Sequence, residues 1–264
     1  MKIDIARQPL VPAFMTLFAL AVAAMCAGIP VSDTSGAVRD ALPLLGGQLA
    51  RFQAAYPVWS KFAAGFMLLF TGMCAGRITI RYNLYTVGTC LPIPLYAIVA
   101  CGIATGGNYL AGFAASMLLA LATKNYCRAF CNGYGFDAIF RASLYLGLMP
   151  LIYAPALPLL LLLPLAVLLF RRTFREVVVA TAGLLLPIFT ACYVSWEFTA
   201  PLVTVGQSAI EGMPLQLFLD IPLPALVLAG GIVLLDLTAL FFFLADIYAA
   251  GTKPRFILFY NIGI

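Results

Sequence analysis

Apolar residues run through this chain in long blocks, and the polar positions that interrupt them fall at intervals suited to membrane-crossing helices. Residues 8–32, 82–123, 142–170 and 177–196 contain no Asp, Glu, Lys or Arg. About 20 apolar residues at about 1.5 Å rise each cover the hydrocarbon core of a bilayer, so such blocks predict transmembrane helices. Taken with the turn signals, they predict eight spans, near residues 11–29, 62–75, 85–103, 109–122, 136–152, 157–170, 177–195 and 223–248. Ala104-Thr105-Gly106-Gly107-Asn108 separates the third span from the fourth, and Tyr153-Ala154-Pro155 turns the fifth into the sixth. Pro92 and Pro94 are expected to break the middle of the third span, and the small residues of 111–120 to allow close helix contact. The predicted fold class is all-α, a polytopic transmembrane helical bundle forming one domain over residues 1–264.

Two segments fall outside the spans. Residues 30–61 form a first extracytoplasmic loop, in which Leu42, Leu45, Leu49 and Phe52 approach helical spacing and predict a helix lying on the membrane surface. Residues 197–222 form a second such loop, where Glu197, Glu211 and Asp220 are three of the ten acids. Residues 256–264 begin a further apolar run too short to cross, which reads as an interfacial stub or as a chain truncated before a ninth span.

Charge orients the spans. Lys and Arg are retained on the cytoplasmic side of a membrane. With the N-terminus inside, twelve of the fifteen basic residues fall on its side, and only Arg39, Arg51 and Lys61 fall opposite. Both termini are then cytoplasmic, in a multi-pass protein of the cell inner (cytoplasmic) membrane. Lys2 and Arg7 ahead of an apolar stretch resemble a signal peptide, here read as a retained signal anchor. The net charge of +5 sits at the ends of apolar runs and not on one amphipathic face, which argues against a nucleic-acid partner. A composition with 64% hydrophobic and 9% charged residues leaves little for a separate water-soluble domain.

Composition also limits the chemistry. The chain has no histidine, which removes Ser-His-Asp and Cys-His catalysis. Its seven cysteines lie mostly in apolar runs and read as small buried hydrophobes. Cys127 and Cys131, four apart, lack the further ligands of a metal site. No metal or cofactor is expected.

Few polar residues remain unexplained. Asp236 lies near the middle of the eighth span, where a charge costs about 2.5–3.5 kcal/mol, so it reads as an ion, proton or head-group site or as a neutral acid bonding two helices. Asp246 reads as an interfacial ion pair with Lys253 or Arg255. Asp137 and Arg141 share a helix face at the start of the fifth span and predict an ion pair, with phosphate binding by Arg141 as the functional alternative. Arg171, Arg172 and Arg175 form a basic turn that sets topology or holds an anionic lipid, and Arg77 and Arg81 allow the same two readings. Asp33 and Asp40 in the first loop are the candidates for a catalytic base, against a simpler role in capping or solvating a turn.

Gly133-Tyr134-Gly135-Phe136-Asp137 through Tyr153-Ala154-Pro155, Phe170-Arg171-Arg172-Thr173-Phe174-Arg175-Glu176 and Gly183-Leu184-Leu185-Leu186-Pro187 carry a resemblance. Over about residues 130–196 the chain resembles a family of multi-spanning inner-membrane proteins of Bacteroidetes for which no activity is established. That resemblance implies a membrane bundle, longer in most members, and no particular reaction. Gly147-Leu148-Met149 and the Pro155-led leucine run are more loosely similar to membrane glycosyltransferases of the GT-C type, which would give Asp33 or Asp40 the acidic role. The functional expectation is a non-enzymatic helical component of envelope biogenesis or transport, with the bilayer and other membrane subunits as partners. One alternative is a GT-C-like transferase acting on a polyprenyl-phosphate-linked sugar; the other is a small ion-coupled transporter subunit centred on Asp236.

Overall fold

A computed structural model describes residues 10–26, 44–81, 90, 92–102, 109–131, 135–153, 156, 160 and 173–198, together with 227, 230, 231, 233–235, 237 and 238. Regular structure among them is helical throughout: α1 (Leu10–Cys26), α2 (Leu44–Ala55), α3 (Pro57–Arg81), α4 (Pro92–Gly102), α5 (Tyr109–Cys131), α6 (Phe136–Ile152) and α7 (Phe174–Phe198). Described positions from 227 to 238 are helical as well, within the predicted eighth span.

Proline placement explains several boundaries. Pro12, Pro57, Pro92 and Pro94 all lie in first turns, where a missing N–H removes no intrahelical bond. Pro92 and Pro94 therefore start α4, with Cys90 non-helical just before them, within the predicted third span. The segment read as the loop 30–61 has a helix where one is predicted. It contains the whole of α2 and the first turn of α3, which begins at Pro57 and runs on to Arg81. Across the joint, Tyr56 N–H donates to the Phe52 carbonyl and Ser60 N–H to the Tyr56 carbonyl, both at 2.9 Å, so α2 and α3 are one helix bent where Pro57 lacks its donor. Leu45 and Phe52 face outward as an interfacial helix would have them, yet Gly46 and Gln53 are buried against the bundle.

α6 coincides with the predicted fifth span. It ends where Tyr153 turns extended (φ −139°, ψ 100°) while its N–H still donates to the Met149 carbonyl.

Contacts give the helix directions. The starts of α3 and α5 meet at Ser60 and Tyr109, so these two run parallel. Ile93 packs on Gly76 and Tyr96 on Gly72, which makes α4 antiparallel to α3. Leu118, Ala122 and Tyr126 pack with Ala142, Leu146 and Met149, so α6 runs antiparallel to α5. Ala180 packs with Ala138 and Ile139, while Gly183 abuts Phe140 and Ser143 and Leu184 abuts Gly147, so α7 runs parallel to α6. The α6–α7 contact is the most extensive, and two glycines make it possible. A Cβ on Gly147 would strike the Leu184 carbonyl oxygen, and one on Gly183 would stand 2.7 Å from the Phe140 carbonyl oxygen. Small residues let two helix backbones approach this closely.

Two described helices are long and apolar enough to cross a membrane, over Pro57–Ile78 and Phe174–Val194. Such a helix in the core of a water-soluble protein would be mostly covered. Here only 39% and 17% of the two apolar windows are buried. The uncovered surface includes Phe62, Phe66 and Phe70 on α3 and Leu186, Phe189 and Tyr193 on α7.

Candidate functional site

Of the sequence candidates, Asp33, Asp40, Arg171, Arg172 and Asp236 lie outside the described residues, as does the side chain of Cys131. Asp137 and Arg141 form an exposed ion pair, Arg141 Nε donating to Asp137 Oδ1 at 2.9 Å on the first turns of α6. In that setting the pair contributes about 0.5 kcal/mol or less. Arg175 is exposed on the first turn of α7, and Cys127 is fully buried. Among the described residues, no group of three or more His, Cys, Asp or Glu is arranged to hold a metal ion.

Glu176, next to Arg175, is 3% exposed. Its Oε2 accepts from the Thr173 backbone N–H at 3.1 Å and from the Thr173 hydroxyl at 3.3 Å. This is one arm of a capping box, and the carboxylate also suits the positive end of the α7 dipole. Arg175, expected in the basic turn, lies instead in the first turn of α7 beside Glu176. The spacing Thr173-x-x-Glu176 is the signal that would have placed both residues in helix.

Several of the described polar groups between helices pair with α5. Tyr109 at its start pairs with Ser60 of α3, and because Ser60 Oγ donates to the Pro57 carbonyl, the tyrosine is the donor. The next residue, Leu110, donates its N–H to Gln53 Oε1 of α2 at 3.4 Å. Ser116 Oγ donates to its own helix at Phe113 and accepts from Tyr96 of α4 at 3.3 Å. Tyr126 pairs with Ser143 of α6 at 3.2 Å. Among the described helices, α5 is thus tied by hydroxyl or amide groups to α2, α3, α4 and α6. A hydroxyl pair between membrane helices contributes about 0.6 kcal/mol and at most about 1.7. Tyr126→Phe is therefore expected to lower stability in detergent by about 1 kcal/mol, read from the thermal midpoint of the purified protein. Such pairs join helices. Polar groups on the exposed face of α7 need no partner helix, since Thr181 and Thr190 donate to the Val177 and Leu186 carbonyls of their own helix.

Charge separates along the bundle. α3 and α5 end, and α6 and α7 begin, at the same end, which carries Arg77, Arg81, Lys124, Arg128, Asp137, Arg141, Arg175 and Glu176. At the opposite end, the described basic residues are Arg51 and Lys61.

The uncovered face of α3 connects the two ends. Trp59, Phe62, Phe66, Phe70, Arg77 and Arg81 recur at helical spacing and are all exposed, with half-buried Met73 between them. Phe66 stacks on Phe70 with centroids 6.4 Å apart, and Phe52 and Tyr56 extend the row of rings into α2. From Trp59 to Arg77 the row spans about 27 Å, close to the thickness of the bilayer hydrocarbon of about 30 Å. The spacing of Trp59, Phe62, Phe66 and Phe70 is the signal in the sequence that marks this face.

Compared with known proteins, the chain matches no family model, and no significant match arises among curated proteins or solved structures.

Proposed function

We propose that this chain is an integral, multi-pass protein of the cell inner membrane. It acts as a helical component in envelope biogenesis or transport, in company with other membrane subunits. The observation that carries this reading is the α3 face, an exposed row of rings from Trp59 to Phe70 followed by Met73 and closed by Arg77 and Arg81, about 27 Å from Trp59 to Arg77. Tryptophan prefers the interface and Arg the cytoplasmic edge, which orients α3 with Arg81 inside. Helix directions support the eight-span order. α3, α4, α5 and α6 alternate in direction, and the parallel pair α6 and α7 requires the chain to return between them, which is the work of the proposed sixth span. A component role is favoured over catalysis because Gln53, Ser60, Tyr109, Tyr126 and Ser143, five of the buried polar groups described, bond helix to helix.

Two measurements test this. The full chain is expected to stay with membranes through alkaline carbonate and to copurify with specific membrane subunits when captured in mild detergent. A chain washed off by carbonate would overturn the membrane reading, and a partner-free monomer would overturn the component role. A cysteine at position 40 is expected to react with a membrane-impermeant thiol reagent from outside the cytoplasm. Labelling from the cytosol would invert the orientation.

A further inference from the structure

We propose that the outward face of α3 is a docking site for an anionic phospholipid, whose head-group phosphate lies on Arg77 and Arg81 and whose acyl chain follows Phe70, Phe66 and Phe62. The proposal rests on the membrane reading above and adds a preferred lipid to it. Topology alone calls for basic residues somewhere at this end of the bundle, and Arg128, Arg141 and Arg175 already supply them. It does not call for two arginines one turn apart on the very face that bears the aromatic row. Arg77 and Arg81 are both exposed and share that face. Guanidinium groups so placed can grip a phosphate through several donors. Because α3 and α5 run parallel, Lys124 and Arg128 lie at the same end of the bundle and add to its positive charge. The acids with described side chains do not belong to this face: Asp137 is engaged with Arg141, and Glu176 caps α7. The patch is therefore cationic and continuous with an apolar track, which complements a phospholipid in both charge and length.

The test uses the purified full chain in detergent, mixed with equal amounts of phosphatidylglycerol and phosphatidylcholine bearing the same acyl chains, with retained lipids counted by native mass spectrometry. The expected result is a preference for phosphatidylglycerol of about fivefold for each arginine engaged. The preference should fall close to parity in Arg77→Gln/Arg81→Gln and persist in Arg51→Gln at the opposite end. Phe66→Ala/Phe70→Ala should reduce the total lipid retained without abolishing the charge preference. Equal retention of the two lipids by the unaltered chain, or an undiminished preference in the double arginine variant, would overturn the site. Carbonate extraction of the same preparation separates the two levels. A chain that resists extraction but shows no preference loses the lipid site alone, whereas one that is extracted loses the membrane reading as well.

Discussion

Gly147→Ala is expected to destabilise the bundle by about 3 kcal/mol, although alanine is the better helix former by about 1 kcal/mol. The added methyl would meet the Leu184 carbonyl oxygen, with the Leu184 carbonyl carbon and Cα at 3.1 and 3.2 Å behind it. A backbone carbonyl inside a helix cannot rotate away, so α6 and α7 would have to separate across their whole contact. Gly183→Ala meets the Phe140 carbonyl oxygen at 2.7 Å and should behave alike. Gly72→Ala is the informative comparison. Its methyl would meet the side-chain tips of Leu17 at 2.8 and 2.9 Å, which can swing to another rotamer, so a smaller loss of about 1 kcal/mol is expected. Gly230→Ala has open space within 4 Å and should be neutral or slightly stabilising. The fraction of each variant that remains monodisperse after a heating series in detergent would rank them. Equal behaviour of Gly147→Ala and Gly230→Ala would show that the two helices do not pack at this crossing.

Phe66→Asp is expected to lower the membrane-integrated fraction several-fold. Phe66 is 67% exposed, so in a water-soluble protein an aspartate there would cost little. Facing hydrocarbon about 10 Å from the Trp59 level, the same carboxylate costs about 2.5–3.5 kcal/mol. The sign of the outcome therefore reports what the face touches. Phe174→Asp is the control. Phe174 is 81% exposed at the first position of α7, where an acid complements the helix dipole and water is near, so integration should be unchanged. Carbonate-resistant and soluble fractions of the two variants give the measurement, and equal integration of both would remove the lipid from this face.

Much of the helical layout was legible in the sequence because it depends on local and one-dimensional causes. The match of α6 to residues 136–152 follows from a charged start at Asp137 and a stop before Tyr153-Ala154-Pro155, and α5 begins at Tyr109 directly after the Gly106-Gly107-Asn108 signal. α5 then continues to Cys131, past the predicted end at residue 122, because Lys124 and Arg128 end an apolar run without ending a helix. The same confusion of polarity with termination shortened α3 at both ends and hid the capping role of Glu176.

Candidate chemistry was less legible. Ser60, Tyr96, Ser116, Tyr109, Tyr126 and Ser143 are unremarkable residues in apolar runs, and nothing local says that Tyr126 meets Ser143 or that Gln53 meets the Leu110 amide. Partner choice between helices depends on which faces oppose each other and at what height, information that no single helix contains.

By itself, the order of apolar and charged residues determined that this chain is helical, where its helices lie in outline and which ends gather positive charge. Hydropathy and helical rise act along the chain and need no neighbours to be felt. Only the tertiary structure decided that α2 and α3 are one bent helix, that α5 is the helix tied to its neighbours by hydrogen bonds, that Gly147 and Gly183 bring α6 and α7 together, and that the face of α3 bearing Trp59, Phe66 and Arg77 is left uncovered. Each of these is settled by which surfaces a helix buries. Burial belongs to pairs of helices, whose close packing admits one register and excludes a single added methyl group.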